Sequence, residues 1–394
     1  RGLILHISSA WRPRTDTGWL PGRYTVVLST DNRRLISGQF QVVASAGYRP
    51  RKPTRRPIFR LNTTNHHACL NEIETDQNNQ YLVTASNDKT VRLWDLDRYR
   101  LLRVLRPPIG DGAEGRIRTV AISPDGKVIA CGGETGKTWH MSHVVYVFDR
   151  AGAIMAKTLE GFPRPIQDLA FSPDRRFLVV FFGDGLRVYA YPGWELVDQV
   201  GIPFRWITRA DISPRNELAL ATFDGHLLIY RIQDGRIVPK ATGTTRSGRK
   251  PISIRYSPDS RLLAVTFRDA KDIDVYSAKT LRYLYSPICA GIEKFLISAV
   301  WSSDGQSLYA GGVHEEYMAP EGKREKMFPL FCWGRQGQGE RKAIPIGDVG
   351  INTLCALDDG RIVYGLYDGT WGILNPEHQK AFTRPPSILH FRKL

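Results

Sequence analysis

The sequence predicts an all-β fold: a seven-bladed β-propeller preceded by a partial β-sandwich module. Three observations carry this. A Ser-Pro-Asp turn between two apolar strands recurs as Ser123-Pro124-Asp125-Gly126, Ser172-Pro173-Asp174, Ser213-Pro214-Arg215, Ser257-Pro258-Asp259 and Ser302-Ser303-Asp304-Gly305, with a reduced form at Asp358-Asp359-Gly360. Companion aromatics at Trp94, Phe148, Tyr189, Tyr230, Tyr276 and Trp333 lie 54, 41, 41, 46 and 57 residues apart. A period of that length marks a solenoid or a propeller. Finally, no stretch shows a helical period, whereas apolar runs bounded by turn residues are frequent.

The first module spans residues 1–46. Gly2 to Ile7 reads as a strand, followed by Gly22-Arg23-Tyr24-Thr25-Val26-Val27-Leu28, a turn near Asp31-Asn32, and Gly38-Gln39-Phe40-Gln41-Val42-Val43. Alternation through Tyr24, Val26 and Leu28, and again through Phe40 and Val42, places one face of a hairpin on a core. This resembles the last strands of an immunoglobulin-like sandwich. Such a sandwich needs about 100 residues, so the rest is expected from elsewhere. Opening on Arg1 instead of Met fits a processed or partial sequence.

Residues 47–57, Gly-Tyr-Arg-Pro-Arg-Lys-Pro-Thr-Arg-Arg-Pro, form a linker stiffened by three prolines and charged by five basic residues, among them Arg51, Lys52, Arg55 and Arg56. With 55 Lys and Arg against 39 Asp and Glu, the chain has a net charge of +16. Such a balance suits an acidic protein, an anionic surface or nucleic acid. Tyr48 is the only aromatic beside the basic run, and no nucleic-acid-binding motif accompanies it. The linker therefore reads as solvated or partner-contacting, with contact to an anionic surface allowed and no specific nucleic acid expected.

The propeller occupies residues 58–394, with units at about 65–106, 116–160, 164–200, 205–240, 250–286, 294–346 and 349–382. In the second unit, Thr119 to Ile122 forms a strand and the turn places Pro124 where its fixed φ suits the first corner. Lys127 to Cys131 returns as an apolar run suited to a strand covered on both faces. Val144 to Asp149 and Ile154 to Leu159 complete four strands. Ring closure is expected to need one blade built from both ends of the chain, with Ile58-Phe59-Arg60-Leu61 a candidate for the outer strand of the last blade, Phe382 to Phe391 the competing closer, and the choice between them open.

The first unit has the clearest side-chain logic. Ser86, Asp88 and Trp94 sit at offsets that allow a hydrogen-bonded chain with an upstream histidine, His66 or His67, of which His67 is taken as the partner. Here the sequence resembles the WD-repeat family, whose blades lock their strands with a His, Ser or Thr, Asp and Trp network. Phe or Tyr replaces Trp in the second to fifth units.

Chemistry is sparse. Cys69, Cys131, Cys289, Cys332 and Cys355 are odd in number and scattered, neither a disulfide framework nor a zinc set. No apolar run approaches a membrane span, and no signal peptide is visible. His140 and His143, with His314-Glu315-Glu316, form the only metal-like grouping, and they read as exposed loop residues. Neither a nucleophile elbow nor a phosphate loop occurs, and the surroundings of Cys289 do not match a caspase signature. Accordingly, no catalytic, cofactor-binding or metal-binding residues are assigned.

Several blade phrases, Arg106-Pro107-Pro108-Ile109-Gly110, Val145-Tyr146-Val147-Phe148-Asp149-Arg150, Gly185-Leu186-Arg187-Val188-Tyr189 and Ser298-Ala299-Val300-Trp301-Ser302, resemble the bacterial WD-repeat propellers often fused to caspase-like peptidases. That resemblance implies a regulatory or partner-binding propeller. The leading expectation is a non-enzymatic interaction scaffold docking with other protein subunits of a larger assembly. The alternatives are the regulatory propeller of a multidomain peptidase and a metal-dependent propeller enzyme. The loop 312–329, with Tyr317 and Met318, is the expected partner contact. The sandwich-like hairpin favours a periplasmic or cell-surface location, with the cytoplasm as alternative.

Overall fold

The computed structural model describes residues 22–30, 33–42, 65–151, 155–292, 295–313, 317–318, 324–325, 328–375 and 380–384. The chain separates into two units, of which one holds residues 63–387. In the other, the strands Gly22–Thr30 and Arg33–Val42 pair as an antiparallel hairpin, with Tyr24 opposite Phe40 and Leu28 opposite Ile36. The expected strand at residues 2–7 and the linker 47–57 lie outside the described residues.

The larger unit contains seven four-stranded antiparallel sheets, each continuous in sequence apart from one insertion. Their inner strands are Leu70–Thr75, Ile117–Ile122, Ile166–Phe171, Ile207–Ile212, Pro251–Tyr256, Leu296–Trp301 and Ile351–Ala356. Each inner strand touches the next, and Ile351–Ala356 returns to Leu70–Thr75, which closes a seven-bladed propeller.

The recurring turn has a local cause. The Ser123 hydroxyl is buried, donates to Asp125 Oδ1 at 2.6 Å and accepts the amides of Lys127 and Val128. Ser172 with Asp174, Ser257 with Asp259, and Ser302 with Asp304 repeat the donation at 2.5, 2.6 and 2.5 Å. One hydroxyl thus satisfies the amides a tight turn would otherwise strand in the interior. The next corner is left-handed, with Gly126 at φ 67° and Gly305 at φ 69°. Arg175 and Ser260 accept the same conformation at φ 62°.

Beyond the turn, the second strands are almost wholly buried, as in Phe177–Phe182 and Glu217–Thr222. Neighbouring sheets cover both their faces, so they read as continuous apolar runs. The cores lie between blades, for instance Val83, Leu93, Val120 and Tyr146 between blades one and two.

Closure differs from expectation. The outer strand of blade seven is Lys380–Arg384, paired with Trp371–Leu374, so all four of its strands come from the C-terminal end. Ile58 to Leu61 lies outside the described residues. Two side-chain devices close the ring instead: Asn352 Nδ2 donates to Leu70 O at 2.7 Å, and Trp94 meets Trp371 with ring centroids 5.1 Å apart. In blade six, the insertion between second and third strands carries a small antiparallel pair, Tyr317–Met318 with Arg324–Glu325.

Candidate interaction surface

The polar chain of blade one is complete, with two members other than those expected. Trp94 Nε1 donates to Thr84 Oγ1 at 2.9 Å, Thr84 Oγ1 lies 2.8 Å from His66 Nε2, and His66 Nδ1 lies 2.8 Å from Asp88 Oδ2. One proton arrangement satisfies every partner: Thr84 donates to Nε2 and the Nδ1–H of a neutral His66 donates to the carboxylate. Burial holds the imidazole pKa below 6.5 although Asp88 opposes this. His67 is 40% exposed with Nδ1 3.6 Å from Asp88 Oδ2, so His66 and not His67 is the link. Ser86 lies beside the chain, donating to Ala68 O at 2.9 Å and accepting the Asp88 amide. Asp88 also accepts from Thr90 and faces Arg92 at 3.7 Å. This set locks strands together, and its side chains are buried.

The central channel is a second polar system, which the sequence reading missed. Inner strands have a free edge toward the channel, and four carboxylates cap amides of the following inner strand: Glu72 on Val120 at 3.1 Å, Glu74 on Ile122 at 3.4 Å, Asp168 on Ala210 at 2.9 Å and Asp211 on Tyr256 at 2.7 Å. Arg209 reaches Glu72 at 3.3 Å and Asp168 at 3.9 Å, while Arg255 reaches Asp211 at 3.5 Å. Burial, reinforced by Asp168, pushes the Glu72 carboxyl up to about 7 against the pull of Arg209 and Arg255. Burial likewise raises Glu74 and Asp211.

Above these carboxylates the channel opens into a cavity of about 750 Å³. All seven inner strands carry a β-bulge just after their first residue. The seven bulged residues are Asn71, Arg118, Gln167, Thr208, Ile252, Ile297 and Asn352, and all line this mouth. A bulge releases one residue from the ladder and re-aims its side chain; here it does so seven times into one opening. Loops between second and third strands add Asn87, Glu134, Phe223 and Arg268, and the connections into inner strands add Arg116, Arg164 and Trp206.

The mouth is basic. Its lining has six arginines, 116, 118, 164, 209, 255 and 268, against one carboxylate, Glu134. Arg118 pairs with Glu134 and donates to Gln167 at 3.2 Å, and Arg209 and Arg255 are held by the carboxylates below. Among the described residues no carboxylate pairs with exposed Arg116, Arg164 or Arg268. Trp206 is 51% exposed with φ 30°, an uncommon backbone for a bulky residue.

Other sequence-derived candidates fall elsewhere. His140 pairs with Glu160 at 3.2 Å, and burial lowers the His143 pKa. Among the described residues no group of His, Cys, Asp and Glu is placed to hold a metal. Residues 314–316 lie outside the described residues, as do Arg51, Lys52, Arg55 and Arg56. For Tyr317 and Met318 the backbone alone is placed, in the small pair of blade six. Burial pushes the Cys289 thiol up to about 11 and those of Cys69 and Cys355 up to about 12, so none is a thiolate near neutrality. No described helix is long and apolar enough to cross a membrane.

Comparison with known proteins agrees with this architecture. Residues 58–95 and 102–140 match the WD domain, G-beta repeat, across blades one and two, so the ring carries WD40 repeats. The chain is 32% identical over 112 residues to the small ribosomal subunit protein RACK1y of Oryza sativa subsp. japonica, covering 27% of this chain and 28% of that protein. It is 24% identical over 162 residues to the cross-pathway control WD-repeat protein 2 of Flammulina velutipes, covering 40% of this chain and 46% of that protein. The matches thus span less than half the length of these relatives.

Proposed function

We propose that this chain is a non-enzymatic protein-interaction scaffold, a WD-repeat propeller that docks on a larger assembly. The observation that carries this is the mouth: seven bulges turn polar and apolar side chains into one wide opening, while the buried polar groups are spent on locking strands. Rigid scaffolds that gather loops on one face are suited to recognition. The rice relative is named as a small ribosomal subunit protein, which supports a role inside a multi-chain particle. The immunoglobulin-like module, the basic linker with Arg51, Lys52, Arg55 and Arg56, and the blade-six insertion with Tyr317 and Met318 are further contact points in this reading.

Native mass spectrometry of the gently purified complex tests it. A stable multi-chain assembly is expected. A lone chain carrying a stoichiometric metal would overturn the scaffold and favour a metal-dependent enzyme. The resemblance of the blade phrases to peptidase-fused propellers keeps a second reading, a regulatory propeller of a multidomain caspase-like peptidase. Peptidase sequence within the same gene product would select it.

A further inference from the structure

We propose that the channel mouth is the docking site for an acidic peptide segment of a protein partner, its carboxylates held by Arg116, Arg164 and Arg268. This deepens the scaffold reading and rests on it. The three guanidinium groups come from connections in blades two, three and five, all exposed at one cavity and none neutralised by a carboxylate among the described residues. Two of the three are held by backbone hydrogen bonds. Arg116 donates its amide to Ala113 O at 3.0 Å and accepts from Glu134 at 3.1 Å, and Arg268 donates to Lys250 O at 2.8 Å. A methyl group on Gly183, at φ 32°, would meet Arg164 Cγ at 2.5 Å, so that glycine makes room for the arginine stem. Forked guanidinium donors with no carboxylate partner match the geometry of an incoming carboxylate.

Trp206 supplies an apolar surface in the same opening. Phe223 beside it is faced by the Arg205 guanidinium at 4.9 Å and the Lys250 ammonium at 5.5 Å, which extends the positive potential across blade four. The chemistry therefore fits alternating carboxylates and apolar side chains. Nucleic acid fits less well: strands without sequence preference need a run of exposed stacking aromatics along a groove, whereas this is a pit of about 750 Å³ with one half-exposed indole.

The test uses the full chain and fluorescence anisotropy with a labelled peptide of alternating Glu and Leu, a counterpart with Gln for Glu, and single-stranded DNA. The Glu peptide is expected to bind at least about tenfold more tightly than the Gln peptide, with affinity falling as salt rises. The triple variant Arg116→Glu/Arg164→Glu/Arg268→Glu should lose at least about tenfold in affinity. A triple variant of equal charge, Arg103→Glu/Arg236→Glu/Arg282→Glu, at exposed positions of two outer strands and just before a third, should keep it. Equal losses in both variants, equal affinity for the two peptides, or tighter binding of the DNA through the same arginines would each overturn the proposal. An assembly that survives the mouth variant in native mass spectra overturns the mouth and leaves the scaffold standing.

Discussion

Trp94, Thr84, His66 and Asp88 form a relay in which every proton has a definite place, and the two histidines beside each other show how much that place matters. Replacing His66 with Ala leaves the Thr84 hydroxyl without its acceptor and takes from the buried Asp88 carboxylate one of its partners, Thr90 and Arg92 remaining, a loss of about 2–4 kcal/mol. His67→Ala, at an exposed ring 3.6 Å from the same carboxylate, should stay within about 0.5 kcal/mol of the parent. Trp94→Ala removes a fully buried indole as well as the first donor and is expected to cost about 3–5 kcal/mol. Urea denaturation of the three variants checks the order. Trp94 and Asp88 were legible in the sequence because a tight turn fixes their offset. Thr84 and His66 were not: Thr84 and Ser86 share a strand face two residues apart, and His66 and His67 precede the strand in an irregular segment, so only the fold decides between them.

At the scale of strands, the Ser-Pro-Asp turns were readable because their hydrogen bonds span two to five residues. The channel carboxylates were not, because each caps an amide one blade away, 48 residues for Glu72 and 42 for Asp168. Their signal is an acid set among the apolar residues of an inner strand, seen twice in Leu70-Asn71-Glu72-Ile73-Glu74. Glu72 gives a pH prediction. A carboxyl that titrates near 4.5 when unfolded and near 7 when folded binds more protons in the folded state between those values. Its contribution therefore makes stability fall as pH rises from about 4.5 to about 7, and it levels off above. Glu72→Gln retains an acceptor for the Val120 amide and removes the titration. The difference in melting temperature, variant minus parent, should grow in the variant's favour across that interval; a flat difference from pH 5 to 8 would show that Glu72 is ionised throughout.

For the whole ring, repeat count and blade limits were legible, whereas the closing end was not, since two apolar segments competed for one edge and composition does not rank them. The outcome makes closure a matter of side chains. Blade seven is complete in itself, so no strand is shared across the seam. Leu70, Ile73, Leu82, Trp94 and Leu96 of blade one instead pack on Leu357, Val363, Trp371 and Ile373 of blade seven. Asn352 bridges to Leu70 O at the seam as Asn71 bridges to Ile117 O between blades one and two. A repeat array that contacts only neighbours unfolds from its ends, and closing the ring removes those ends. Trp371→Ala deletes a buried side chain from the seam, 5.1 Å from Trp94, and should cost about 3–5 kcal/mol. Its effect should also be uneven: hydrogen exchange is expected to quicken first in Leu70–Thr75 and Ile351–Ala356, while Ile207–Ile212 on the far side keeps its protection until global unfolding. Uniform acceleration around the ring would mean that the seam is no weaker than any other blade contact.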